Sequence, residues 1–255
     1  TEEVFVVPYN DTDAVNQVVE QYGNDLAAIV AEPIAGNMGL VPSQDGFLEG
    51  LRRAADKAGA LLVFDEVITG FRFGATSYGE LCGVIPDLTC LGKIIGGGMP
   101  IGAVGGKKDV MDALAPEGPV YQGGTLSGNP VALAAGLTTL QLLEKEYPYQ
   151  ELDRLGQKLW KGMSEIAEES TVPMHVVQRG SVFTPFFTRG PVQDLNGAKS
   201  SDTNAHAEFF HDMLRRGIYL PPSQFECGFL STAHTEKDIE NFIDAAGSVL
   251  ARRTS

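Results

Sequence analysis

The chain has 255 residues, 43% hydrophobic and 20% charged, enough apolar material for one large domain or two smaller ones and too much for wholesale disorder. Nineteen Lys and Arg against 33 Asp and Glu give a net charge of −14, which speaks against a nucleic-acid or anionic-membrane partner. No apolar run reaches the roughly 18 residues of a membrane span, and Cys82, Cys90 and Cys227 form no CxxC pair, the pattern of a reducing compartment rather than a disulfide framework.

Thr1-Glu2-Glu3-Val4 carries no initiator Met and leads straight into an extended segment, so an upstream part is expected to belong to the protein. Residues 4–8 read as a strand. Asn10-Asp11-Thr12 then offers cap chemistry for a helix through Tyr22, closed by Gly23. Residues 26–31 form a continuous apolar run ending in Glu32-Pro33, as in a strand buried on both faces. Residues 47–58 have helical spacing and stop at Gly59. Further strands are predicted at 60–64, ending in Asp65-Glu66, at 88–91, ending in Gly92-Lys93, and at 101–104. Apolar strands alternating with helices predict a largely parallel α/β sheet, whose ligands sit beyond the carboxyl ends of the strands. Glu32, Asp65 and Lys93 all fall at those ends.

A long Ala/Leu-rich helix is predicted over 128–144, and after Tyr147-Pro148-Tyr149 the pattern changes. Helices over 152–168, 203–216 and 236–252 and β-rich stretches at 174–178, 182–188 and 229–231 predict a smaller α+β domain, with a boundary near residue 146.

The chemistry concentrates in a few residues. Lys93 lies in Leu91-Gly92-Lys93-Ile94-Ile95-Gly96-Gly97-Gly98, between an apolar strand and a glycine run. A lysine among apolar neighbours loses hydration, its pKa falls, and its amine becomes a nucleophile for an aldehyde; on the tripeptide alone, a snorkelling surface lysine is the better reading. Asp65 ends Leu61-Leu62-Val63-Phe64, so its carboxylate leaves a buried strand and calls for a cationic partner. The protonated pyridine nitrogen of pyridoxal phosphate would serve, since that proton makes the ring an electron sink. A helix N-cap or an ion pair to Arg would satisfy Asp65 as well. Lys93 is followed by Ile94 and its glycines come after it, so a Walker A loop is excluded, and no GxGxxG is present. Gly123-Gly124-Thr125-Leu126-Ser127-Gly128-Asn129-Pro130 precedes a helix and suits either a phosphate held by backbone N–H groups and the Thr125 hydroxyl or an ordinary cap.

Leu62-Val63-Phe64-Asp65-Glu66-Val67, the Lys93 run and Thr125-Leu126-Ser127-Gly128-Asn129-Pro130 together resemble the class III, fold-type I aminotransferases, and the resemblance runs from residue 7 to about 250. It implies a mostly parallel sheet flanked by helices, with residues 1–146 as the C-terminal part of the large cofactor-binding domain and 147–255 as the small C-terminal domain. By resemblance, Lys93 would bond to pyridoxal phosphate, Asp65 would bind its ring nitrogen, Val67 would pack on the ring and Asn37 would lie near its phenolic oxygen. Gly124 and Thr125 would meet the phosphate of a neighbouring subunit's cofactor, so a homodimer is implied.

Transaminases of the class carry a Glu after their Glu-Pro-x-x-Gly segment and an Arg that clamps the substrate α-carboxylate. Here Asn37 follows Glu32-Pro33-Ile34-Ala35-Gly36, and Glu226 stands in Ser223-Gln224-Phe225-Glu226-Cys227-Gly228-Phe229 where that Arg falls. A carboxylate there repels an α-carboxylate but not an aldehyde, so Glu226 is a substrate-selecting residue in this reading. The resemblance then implies an aminomutase, in which pyridoxamine phosphate would supply an amine for the aldehyde of glutamate semialdehyde, Lys93 would move protons, and the other amine would return to the cofactor, leaving 5-aminolevulinate for tetrapyrrole biosynthesis. The setting implied is cytoplasmic, or the stroma in a plastid. An ω- or β-amino-acid transaminase and a non-catalytic fragment are the alternatives. Phe71-Arg72-Phe73-Gly74-Ala75-Thr76-Ser77-Tyr78 and Ser181-Val182-Phe183-Thr184-Pro185 depart from the family pattern, and Gly123 replaces an expected Ala. His206 and His211 lack the i,i+4 spacing of a metal pair, so no metal site is expected.

Overall fold

The computed structural model describes residues 4–251, which divide into two compact units: 4–33 with 43–147, and 34–42 with 148–251. The sequence reading groups 34–42 with the first domain. These residues instead pair and bond within the second unit, whose partners for them lie far along the chain.

The first unit begins with α1 (Thr12–Tyr22), capped by the Asp11 carboxylate, which accepts from Ala14 N at 2.8 Å. Residues 4–8 are not a strand; they find no sheet partner among the described residues, and Phe5 stacks on Tyr22 with ring centroids 4.4 Å apart. A 4-stranded sheet follows in the order β1-β4-β5-β6, from β1 (Ala28–Ala31), β4 (Leu61–Glu66), β5 (Leu88–Leu91) and β6 (Ala103–Gly106). The first three are parallel and β6 runs antiparallel to β5. The crossover between β1 and β4 carries α2 (Phe47–Ala58), whose Leu48, Leu51, Ala54 and Ala55 are buried and which ends at Gly59 with φ 66°. β1 is not buried on both faces as its run of apolar residues suggests. It lies at the sheet edge with Val30 67% exposed, because an apolar sequence specifies a strand but not the neighbours that cover it. Short helices α3 (Tyr78–Cys82) and α4 (Lys108–Met111) and the long α5 (Pro130–Glu146) complete the unit.

In the second unit, the small antiparallel pair β2 (Ile34–Ala35) and β3 (Val41–Pro42) accompanies the antiparallel sheet of β7 (His175–Arg179), β8 (Val182–Phe186) and β9 (Gly228–Phe229). β9 reaches only Val182 and Phe183 of β8, so the missing N–H of Pro185 costs no ladder bond on that side. Helices α6 (Tyr149–Glu169), α7 (Leu195–Lys199), α8 (Thr203–Arg215) and α9 (Glu236–Ala251) surround it. One core joins Leu155, Leu159 and Met163 of α6 to Phe209 and Met213 of α8 and Ile239 and Phe242 of α9. Each such side chain contributes about 1.5–3 kcal/mol when fully removed from water. Among the described residues no helix is long and apolar enough to cross a membrane.

Candidate active site

β4 and β5 set the first cluster. Their parallel register places Asp65 opposite Cys90 and Glu66 opposite Leu91, so the carboxyl ends of both strands finish level and Lys93 follows immediately. Period-2 alternation then divides the acidic pair. Leu62, Phe64 and Glu66 point into the core, while Asp65 is half-buried on the other face. Asp65 Oδ1 accepts from Val67 N at 3.1 Å; Oδ2 has no hydrogen bond among the described residues and can receive a cationic group. Burial, with the Asp65 charge beside it, pushes the Cys90 thiol up, so that neighbour stays neutral.

Lys93 opens a short 3₁₀ turn, Lys93–Gly96, and holds φ 47°. A bulky residue in the left-handed region stores of order 1–3 kcal/mol, and such strain gathers at functional positions. Its side chain is exposed in this chain, whereas its sequence context suggests apolar surroundings, because the glycines after it draw the backbone and not the lysine against the protein. At Gly97 (φ 56°) a β-carbon would stand 2.6 Å from the Ala135 carbonyl oxygen, so this glycine exists to let α5 approach the turn. Val67 lies against the chain just before Lys93: a β-carbon on Gly92 would be 3.2 Å from Val67 Cγ1. The structure thus brings Asp65, Val67 and Lys93 to one sheet edge.

Gly124 and Thr125 lie in an exposed turn, closed by Ser127 N donating to Gly124 O at 2.9 Å. The helix that follows is capped in the ordinary way, since Asn129 Oδ1 accepts from Val131 N and Ala132 N. An anion here would therefore be met by the turn and not by the first amides of α5.

A second cluster lies wholly in the second unit. Gly39 N donates to Phe225 O at 2.7 Å and Cys227 Sγ to Gly36 O at 3.4 Å, across 191 residues of sequence. Thr184 Oγ1 accepts from Leu40 N at 3.0 Å and donates to Glu226 O at 3.4 Å. The segments bearing Asn37 and Glu226 therefore run side by side, with both of those residues exposed and Gly36 and Cys227 buried between them. Buried Gln224 fixes the approach to Glu226, giving its amide N–H to Pro185 O (3.0 Å) and accepting from Phe187 N (3.2 Å).

Sequence reasoning missed Thr184, Gln224 and the separate place of Glu66. For Glu66 the signal was available: two-residue alternation puts it on the face of Leu62 and Phe64. For Thr184 and Gln224 there was none, since their partners are brought close only by folding. Among the described residues no group of His, Cys, Asp and Glu is arranged to hold a metal ion.

Asp65 lies near the carboxyl end of one of two adjacent parallel strands and Lys93 just past the end of the other. The profile of the aminotransferase class-III family matches residues 3–238, and the chain belongs to that family. Its relatives include the glutamate-1-semialdehyde 2,1-aminomutases of Sulfurihydrogenibium azorense, 53% identical over 95% of this chain and 57% of that protein, and of Thermomicrobium roseum, 51% identical over 98% and 58%. The chain thus spans less than two thirds of the curated relatives it matches. Among solved structures it is similar to a β-phenylalanine aminotransferase from Variovorax paradoxus (TM-score 0.89, 33% identity, 98% of this chain and 58% of that one). A glutamate-1-semialdehyde aminomutase K286A variant from Pseudomonas aeruginosa, in complex with PMP, gives a TM-score of 0.86 at 26% identity over 97% of this chain and 56% of that one.

Proposed function

We propose that this chain is the lysine-bearing part of a pyridoxal-phosphate-dependent aminomutase that converts glutamate-1-semialdehyde to 5-aminolevulinate. The carrying observation is the strained Lys93 turn at the same sheet edge as Asp65. The donor set suits the cofactor: an amine for its aldehyde, a carboxylate oxygen with no hydrogen bond among the described residues for its ring nitrogen, and Val67 for a face of the ring. When bound, pyridoxal phosphate supplies an electron sink.

The protein's own residues do the rest. Asp65 keeps the ring nitrogen protonated. Lys93 holds the cofactor, then, once released, carries protons to and from the reacting carbon. Gly124 and Thr125 receive the phosphate of the cofactor in a second copy, which makes the protein a homodimer; exposed Val120, Tyr121, Leu126 and Val131 around that turn support a covered face. Glu226 turns away substrates with an α-carboxylate, and the pairing of its segment with that of Asn37 supports one selecting surface. The reading includes a cytoplasmic setting, supported by the bacterial source of the relatives.

Borohydride reduction of the purified protein tests this. One pyridoxyl group should be fixed on Lys93 and lost in Lys93→Ala, and 5-aminolevulinate should form with no added amino donor. Turnover only with an external donor and acceptor would instead identify a β- or ω-amino-acid transaminase, the reading that likeness to the Variovorax enzyme favours. No fixed pyridoxyl group would leave a non-catalytic fold.

A further inference from the structure

Glu66 is completely buried, and the donors that meet its carboxylate are all uncharged: Tyr78 N at 2.5 Å, Gly79 N at 3.0 Å and the Thr69 hydroxyl at 3.4 Å. Burial pushes its pKa up, and the two backbone amides only partly offset this. A carboxylate placed there is costly, and an apolar residue would end the strand at lower cost. What the carboxylate gains is control of a loop.

Residues 67–77, between β4 and α3, contain no helix or strand, and Phe71 within them holds φ 58°. Both ends of this excursion close on Glu66. Its carbonyl accepts from Gly70 N at 2.9 Å, and its carboxylate gathers Thr69 at the start and Tyr78 and Gly79 at the finish. The first residue of the loop is Val67, which rests on Gly92 beside Lys93, and whose N–H holds Asp65 Oδ1. Any slackening at Glu66 is therefore passed to both the acid and the lysine of the site.

We propose that Glu66 is a positioning residue: by closing the 67–77 loop from inside the core, it fixes Val67 and so aligns Asp65 with Lys93 for the cofactor. This rests on the cofactor reading above. Glu66→Gln puts an amide NH₂ where a backbone N–H needs an acceptor, with little change in volume.

The test uses purified protein with two readouts. In the cofactor-free form, hydrogen exchange at the Tyr78 and Gly79 amides should quicken at least tenfold in Glu66→Gln while exchange within α2 stays unchanged. On titration with pyridoxal phosphate, the dissociation constant should rise about tenfold and the visible band of the lysine-bound form should shift. Thr69→Val, which removes one donor and leaves the charge, should move both readouts the same way by two- to threefold, and it decides the matter if Glu66→Gln does not fold. Wild-type affinity and spectrum in Glu66→Gln, or in Thr69→Val should that variant decide, overturn the proposal even if amide exchange quickens. Unprotected amides at Tyr78 and Gly79 in the wild type overturn it as well. Protected amides in a wild type that binds no pyridoxal phosphate show that the cofactor reading has failed, which overturns the alignment role while leaving loop closure in place.

Discussion

Gly136 on α5 sits directly over Ile95 in the lysine turn: a β-carbon built on it would lie 2.1 Å from the Ile95 carbonyl oxygen. The obstacle is backbone, which cannot rotate out of the way as a side chain could. Gly136→Ala should therefore push α5 off the turn and cost about 1–3 kcal/mol of stability. Its melting temperature should fall and borohydride should fix less pyridoxyl on Lys93. An alanine variant with wild-type melting and labelling would show that the helix moves freely there.

Glu226 gives a second prediction. If its charge rejects α-carboxylates, Glu226→Gln should speed the half-reaction with an ordinary amino acid such as L-alanine by about tenfold to a hundredfold, the effect of removing roughly 1–3 kcal/mol of like-charge repulsion. Bleaching of the cofactor's visible band on adding the amino acid measures it. Equal rates in variant and parent would remove Glu226 from the selecting surface.

The third concerns acid. Asp87, at the opposite end of β5 from Lys93, is buried; burial alone would raise its carboxyl. Hydrogen bonds from Lys107 Nζ (2.5 Å), Leu62 N (2.6 Å) and Arg52 Nη1 (2.8 Å) outweigh that and hold it at about 2, below the usual 3.8. A depressed carboxyl stabilises the fold above its unfolded pKa and loses that contribution as pH falls toward its folded one. With allowance for solvent screening at the exposed Lys107, the contribution is about 1–2 kcal/mol, and it should vanish between about pH 4 and pH 2. Lys107→Ala should lower stability at neutral pH by up to about 1 kcal/mol, a deficit that shrinks to nothing as pH falls toward 2, and acid unfolding, followed by circular dichroism, should therefore begin at higher pH. An unchanged acid limb would mean that Arg52 and the Leu62 amide suffice.

Much of the first unit is legible in the sequence because its signals are local. The span Phe47–Ala58 follows from apolar spacing and a terminal glycine, and Leu88–Leu91 from an apolar run stopped by Gly92. What is not legible depends on partners. Nothing near Val30 says that its face is uncovered, and nothing near residues 4–8 says that no strand awaits them. Residues 34–42 sit between two elements of the first unit in sequence yet bond to β8 and to Phe225, far downstream. In the site, the residue types at 65 and 93 announce their chemistry. The inward turn of Glu66 follows from two-residue alternation along β4, whereas the exposure of Lys93 depends on strand register and the approach of α5, which the motif alone does not encode.

The φ of 47° at Lys93 bears on whether this site could be moved elsewhere. A lysine does not hold that angle by its own preference; here α5 and the strand ends impose it. Copying Leu91-Gly92-Lys93-Ile94-Ile95-Gly96-Gly97-Gly98 into another scaffold would transfer the letters and lose the bend. The relaxed lysine would swing to an ordinary backbone conformation and present its amine in a different direction. Transplanting the chemistry would require the helix as well, with its small residues facing the turn, so the smallest portable unit of this site is a strand, a turn and the helix that leans on it.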